Sequence, residues 1–372
     1  MNRETPSAFL LFELLARRWT TPAAVEAVSF NAAQSHVAAP LANGSIALVA
    51  CADREAPEDR IATDDAGRKT IAPRKLNLPP ATVAAARGPG PAKMRPDGGD
   101  GFLVGYRDGS LWRLSVDGSM AALGPKTRAP VIALDRSAHA GRTLVVGAEE
   151  TMLLADGGGV VRAPAPAGVR SADLSPDGTT IAFGLDAALI LAPADTPGST
   201  AARFPTPGAV NAIKWRPDGA FVAGVCEDDK ALALVDVGAS QRGVLTGFAA
   251  APRSIAWSAS ARALVVSGAY RIAAWSLHRP PFGGDHSGAL ETGRAGMVAV
   301  DQVAAHPSRS FVAAAHANGQ VVIAEIGRRD ELQLKASGPR VNALAWSDDG
   351  RMLAIAAQDA LSLVSLPDVL FK

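Results

Sequence analysis

Apolar and polar positions along this chain fall into one recurring order: an apolar run, a polar turn, a second apolar run, another polar turn and a third apolar run. The clearest copy is Val210-Asn-Ala-Ile-Lys-Trp-Arg-Pro-Asp-Gly219, with further apolar runs over 220–225 and 231–237. Val341-Asn-Ala-Leu-Ala-Trp-Ser-Asp-Asp-Gly350 repeats it nearly residue for residue. Counted from Val210, equivalent anchors stand at Val25, Val83, Val131, Val169, Pro252, Val300 and Val341, which makes eight copies. Short strands recurring about every 40 residues predict four-stranded sheets stacked around an axis, an all-β propeller. The count predicts eight blades; if the copy at Val83, interrupted by Gly88, Pro89 and Pro91, forms no blade, the ring has seven.

The turns after the first runs carry their own chemistry. In Ser175-Pro-Asp-Gly178 and Arg216-Pro-Asp-Gly219 the proline presets φ, the aspartate bonds the backbone and the glycine takes positive φ without a steric cost. Asn43-Gly44, Asp108-Gly109 and Asn318-Gly319 are hairpin signals between second and third strands. The second strands are continuously apolar, as expected of strands buried on both faces. Small residues (Ala27, Ala133, Ser171, Ala212, Gln302 and Ala343) follow the anchors by two positions, where the first strands crowd the axis. Phe30, Trp215, Trp257 and Trp346 share one position and are expected to pack between blades.

The last copy has room for three strands before Lys372. The spare apolar run at residues 9–16 is expected to supply the fourth, closing the ring and leaving no open edge. The whole chain, 1–372, then reads as a single propeller domain. Residues 52–80 form a charged insertion between the third and fourth strands of the first blade, and a Pro- and Gly-rich insertion begins at His278.

Composition narrows the classes. A net charge of +1 over 372 residues argues against a nucleic-acid binder. Two cysteines, Cys51 and Cys226, sit far apart and fit a reducing compartment, and no apolar run is long enough to cross a membrane as a helix. The run ending at Ala16 contains Glu13 and lacks the form of a signal peptide, so a cytoplasmic protein is expected.

The Pro-Asp-Gly turns, the first-strand aromatics and third strands such as Leu232-Ala-Leu-Val-Asp236 and Ile272-Ala-Ala-Trp-Ser276 resemble the WD40 family, in a divergent, bacterial-type form, over about residues 25–367. No copy ends in Trp-Asp and no Gly-His pair precedes a first strand, so the family's His-Asp structural tetrad does not carry over. The resemblance implies a platform that binds a protein or peptide on one face, without a cofactor.

Catalytic signatures are missing. There is no Gly-x-Ser-x-Gly elbow, neither cysteine has a histidine nearby, and His278 with His286 in a Pro- and Gly-rich loop makes a poor metal site. An enzyme using the central funnel, as lactonase-like propellers do, is the alternative; the mostly Ala and Ser inward positions weigh against it. The partner site expected instead gathers Trp19, Arg128, Arg170, Arg253 and Arg340, from loops that enter the first strands around one end of the axis. Arg18 and Lys126 stand beside them, and Glu227, Asp228, Asp229 and Asp359 lie on neighbouring turns.

Overall fold

The computed structural model describes residues 11–63, 69–128 and 130–367. Eight four-stranded antiparallel sheets form the blades, which makes the eight-bladed count right and sets the seven-bladed alternative aside. Their inner strands are Ser29–Phe30, Lys93–Pro96, Val131–Ser137, Ser171–Leu174, Ala212–Trp215, Ile255–Ser258, Val300–Ala305 and Val341–Trp346, for blades 1 to 8 in turn. Blade 5 shows the construction. Ala212–Trp215 pairs with Phe221–Cys226, then Ala231–Asp236, then Gln241–Leu245. Every residue of Phe221–Cys226 is buried, because this strand has a sheet neighbour on each side and a blade on each face.

The turns form as their residues dictate. Gly178, Gly219 and Gly350 take φ near +71 to +74°, and the preceding Asp accepts the next amide, as Asp218 does from the Ala220 N–H at 3.1 Å. In blades 4 and 8 a serine completes the turn: Ser175 and Ser347 hydroxyls donate to Asp177 and Asp349 and accept the Thr180 and Met352 amides.

Blade 2 departs from the expected register. Val83 is not its anchor; Thr82–Ala84 is the outer strand of blade 1, paired with Ile46–Ala50. The inner strand of blade 2 begins after the proline-rich stretch and runs through Pro96, which pairs with Phe102. The equivalent anchor is therefore Pro91. Asp97 in Arg95-Pro-Asp-Gly98 accepts the Gly99 amide, as Asp218 accepts that of Ala220, and also accepts the Gly101 amide.

Blades are joined at their inner strands. The indole N–H of Trp215, Trp257 and Trp346 donates to a carbonyl of the preceding blade's inner strand, at Asp173, Lys214 and Ala304, 3.0–3.2 Å away. Phe30, Trp215 and Trp257 are buried and Trp346 half-buried, between blades as their pattern predicts. Blade 8 meets blade 1 through Asn342 Nδ2 on the Val25 carbonyl, at 2.8 Å.

The fourth strand of blade 8 comes from the N-terminal segment, but not from the apolar run at 9–16. Leu11–Leu15 is a short helix, residues 9 and 10 lie outside the described residues, and the strand is Ala16–Thr20, paired with Ala360–Ser365. The segment 52–80 leaves blade 1 after Ile46–Ala50 and returns at Thr82–Ala84. It grips this strand. Arg17, 2% exposed, donates to the carbonyls of Ala50, Cys51 and Ala52 and lies 3.6 Å from Asp53, which also pairs with Arg74. Arg60 reaches the Leu14 carbonyl, and the Trp19 indole donates to Pro79.

Candidate functional site

Two rings of inward residues line the axis. The first holds the small residues expected there, Ala27, Ala133, Ser171, Ala212, Gln302 and Ala343, with Lys93 and Ser254 completing it by register. The second ring lies two residues further along each strand and corrects the picture of an Ala- and Ser-lined funnel. On blades 2 to 5 it holds Arg95, Asp135, Asp173 and Lys214; on the other four it holds Ser29, Ala256, Ala304 and Ala345. Half of the channel wall is charged and the other half is not.

The two aspartates are bridging groups. Asp135 accepts from Arg95 Nε at 3.0 Å and from the Leu174 amide at 2.9 Å, and Asp173 accepts from the Trp215 amide at 2.9 Å. Each thus satisfies an amide of the following blade's inner strand. The carboxyls also bond each other, which requires one proton between them. Burial and the neighbouring Asp135 charge raise Asp173 well above the ordinary carboxylate range. Burial also opposes ionisation of Asp135, but the Arg95 charge and the bonds from Asp173 and the Leu174 amide outweigh it and hold Asp135 low. Asp173 keeps the proton because Arg95 sits on Asp135. Desolvation by the channel wall lowers Lys214, whose side chain is still open to the channel and whose Nζ lies 3.4 Å from the Ile255 carbonyl.

Asp173→Asn, which keeps an acceptor for Trp215 and a donor for Asp135, should tie stability to pH in a defined direction. Above the unfolded value of about 3.9 the unfolded chain has released a proton that folded Asp173 still holds. Wild-type stability therefore falls with rising pH until folded Asp173 itself ionises. The variant lacks this loss, so its melting temperature should gain on wild type as pH rises from about 4 to about 8. Parallel melting curves across that range would show that no shared proton exists.

The mouth of the channel above these rings is a recess of about 390 Å³ between blades 1 and 5, walled by Lys93, Arg95, Arg107 and Arg170, with Glu26 and Asn211. Lys93 is exposed to the recess, and desolvation by the surrounding wall, then the Arg95 and Arg107 charges, lower its pKa. Of the residues expected to bind a partner, Arg170 alone lines this recess, and its Nε is 2.6 Å from Asp186. Arg253 and Arg340 meet at Asp301, a largely buried carboxylate on the inner strand of blade 7, at 3.9 and 2.6 Å, and Arg253 also faces Glu227 at 3.8 Å. Arg128 is exposed, and its backbone amide donates to Glu150. Trp19 does not join them: it is 7% exposed, packed against Val25 and Phe30 on the outer strand of blade 8. Sequence reading took Trp19 for rim because nothing local shows that Pro79 closes over it. It missed Lys93 because the anchor of blade 2 was misplaced.

Other candidate groups are structural. Burial pushes the Cys51 thiol up to about 12 and raises Cys226 as well, and both are free. His306 packs against Trp346 with ring centroids 4.9 Å apart, and its Nδ1 accepts the Ser308 and Arg309 amides. Among the described residues, no three His, Cys, Asp or Glu side chains come together as metal ligands, and no helix is long and apolar enough to cross a membrane.

No family model matches the chain, and no curated protein matches its sequence. Among solved structures it is similar to the C-terminal WD40 domain of Sif2, with a TM-score of 0.65 at 14% identity, covering 95% of this chain and 99% of that one. It is also similar to a chain of the mitotic checkpoint complex, with a TM-score of 0.56 at 14% identity, covering 98% and 95% respectively. Likeness at this identity shows the fold alone, a β-propeller similar to that of a WD40 domain.

Proposed function

We propose that this protein is a non-enzymatic interaction platform that captures an acidic segment of a protein partner at the mouth of its channel. The observation that carries this reading is the cationic lining of the recess: Lys93, Arg95, Arg107 and Arg170 stand around it with one carboxylate, Glu26, in a volume large enough for a carboxylate-bearing side chain. Like charges held together in a recess raise the local concentration of an anion and its rate of arrival. Arg128, Arg170, Arg253 and Arg340 extend the face outward. That one structural neighbour is part of a protein complex favours a protein as the ligand. Two unpaired buried thiols favour a reducing, cytoplasmic setting.

The funnel-enzyme alternative has little to work with. The carboxyl pair on the channel wall resembles an acid–base dyad, but Arg95, two backbone amides and the shared proton occupy its oxygens. A general base needs a free lone pair within reach of its substrate.

Reversing Arg253 and Arg340 would set new carboxylates against Asp301, so stability would change together with binding. Lys93→Glu/Arg107→Glu avoids this. Fluorescence anisotropy with a labelled hexaglutamate peptide should show binding to the wild type that weakens with salt and drops at least about tenfold in the double variant, with the melting temperature unchanged. Equal binding by the two proteins would remove the recess as the capture site.

A further inference from the structure

The position that Trp215 holds in blade 5 is apolar in seven blades: Phe30, Pro96, Leu174, Trp215, Trp257, Ala305 and Trp346. In blade 3 the residue in this register is Arg136, which pairs with Thr143 as Trp215 pairs with Val222. An apolar residue here can pack into the wedge between its own blade and the preceding one. Arg136 instead bonds its own blade, with Nη1 and Nη2 2.8 and 2.7 Å from the two oxygens of Asp156 and Nη1 3.0 Å from the Thr143 hydroxyl, while its guanidinium lies against Gly98 of blade 2. The wedge between blades 2 and 3 is left as a cavity of about 480 Å³.

Its wall is mostly apolar: Leu103, Leu111, Trp112, Leu134, Val145 and Leu154. The Trp112 indole N–H is already bonded to Ser110, so the ring offers a face and no free donor. The charged groups at the cavity are two arginines, Arg113 and Arg136, and two aspartates, Asp97 and Asp156. Asp156 has both oxygens on Arg136, and Asp97 spends one oxygen on the Gly99 and Gly101 amides. Two donors are left open to a ligand: Arg136 Nε is buried with no acceptor, and Arg113, 57% exposed, makes a loose contact with Asp97 at 3.4 Å. A buried N–H without an acceptor is destabilising, and a ligand oxygen would satisfy it.

We infer that this cavity is a binding site for a small amphipathic carboxylate, with its hydrocarbon body between blades 2 and 3 and its carboxylate on Arg136 Nε and Arg113. The volume falls within the range of small-molecule sites, about 300–1,000 Å³. The site stands apart from the channel mouth and does not depend on the platform reading above.

The test uses the full-length protein with anilinonaphthalene sulfonate as reporter and octanoate and octylamine as competitors. One saturable reporter site per chain is expected, displaced by octanoate at concentrations at least about tenfold below those of octylamine. Arg136→Trp restores the aromatic wedge and removes the donor; it should abolish reporter binding and raise the melting temperature. Should that variant misfold by circular dichroism, Leu123→Trp plugs the same cavity from its edge and should give the same loss. Absence of a saturable site in the wild type, equal displacement by the amine, or undiminished binding in a folded plugged variant would each overturn the assignment.

Discussion

Deleting residues 1–20 should lower the melting temperature sharply and leave a protein that self-associates. The deletion removes the whole outer strand of blade 8 and exposes the edge of Ala360–Ser365, five residues of which are paired with Ala16–Thr20. Open, flat, apolar edges recruit other chains. Leu15 and Trp19, buried against blades 7 and 8 and blade 1, leave with the strand. Burial of two such side chains contributes roughly 3–6 kcal/mol before any backbone bond is counted. The loss also reaches blade 1, because Arg60 and Pro79 lose the Leu14 carbonyl and the Trp19 indole as partners. Thermal melts with light scattering would measure both effects, and a synthetic peptide of residues 11–20 added in trans should restore part of the lost stability. A truncated protein that melts like the full-length chain and stays monomeric would refute this account of ring closure.

Arg17→Ala should cost about 1–3 kcal/mol, the cost of leaving a buried acceptor unsatisfied. Arg74 still pairs with Asp53, so the carboxylate keeps a cation. The loss falls on the carbonyls of Ala50, Cys51 and Ala52, three consecutive acceptors that one guanidinium satisfies at 3.1, 2.6 and 2.6 Å. Burial lowers the Arg17 pKa, yet the Asp53 charge works against that fall, so the side chain stays cationic at neutral pH. Lysine cannot replace the fork geometry, so Arg17→Lys should recover less than half of the loss. The urea midpoint should drop with the slope unchanged. A loss below about 1 kcal/mol would mean that water replaces the guanidinium without penalty.

What could be read from the sequence was what neighbours in sequence decide. Ser175-Pro-Asp-Gly178 makes its turn from its own side chains, and the run from Phe221 to Cys226 is buried because a blade buries any strand in that place. Blade 2 was misread because Thr82–Ala84 has the apolar character of a first strand, while the true one holds Lys93, Arg95 and Pro96. The closing strand was misplaced for a related reason. Ala16–Thr20 looks polar, and only contacts more than thirty residues away make Arg17 a buried residue. The charged half of the channel did leave a signal. Asp135, Asp173 and Lys214 each follow a small inward residue by two, so strand alternation placed them on the axis. The sharing of a proton between two of them depends on blades meeting at the axis, which no single strand encodes.

The grip of segment 52–80 on the N-terminal strand also divides the entropy of ring closure. Contacts of Arg17 with blade 1 span 33 to 35 residues, whereas the ion pair of Arg18 with Asp359 spans 341. For a flexible chain the longer loop costs about 2 kcal/mol more to close. A strand already held on the first blade meets the last one as a neighbour in the assembled ring. Once blade 1 and segment 52–80 are in place, closing the ring needs only the short-range docking of blade 8 onto a strand they already hold.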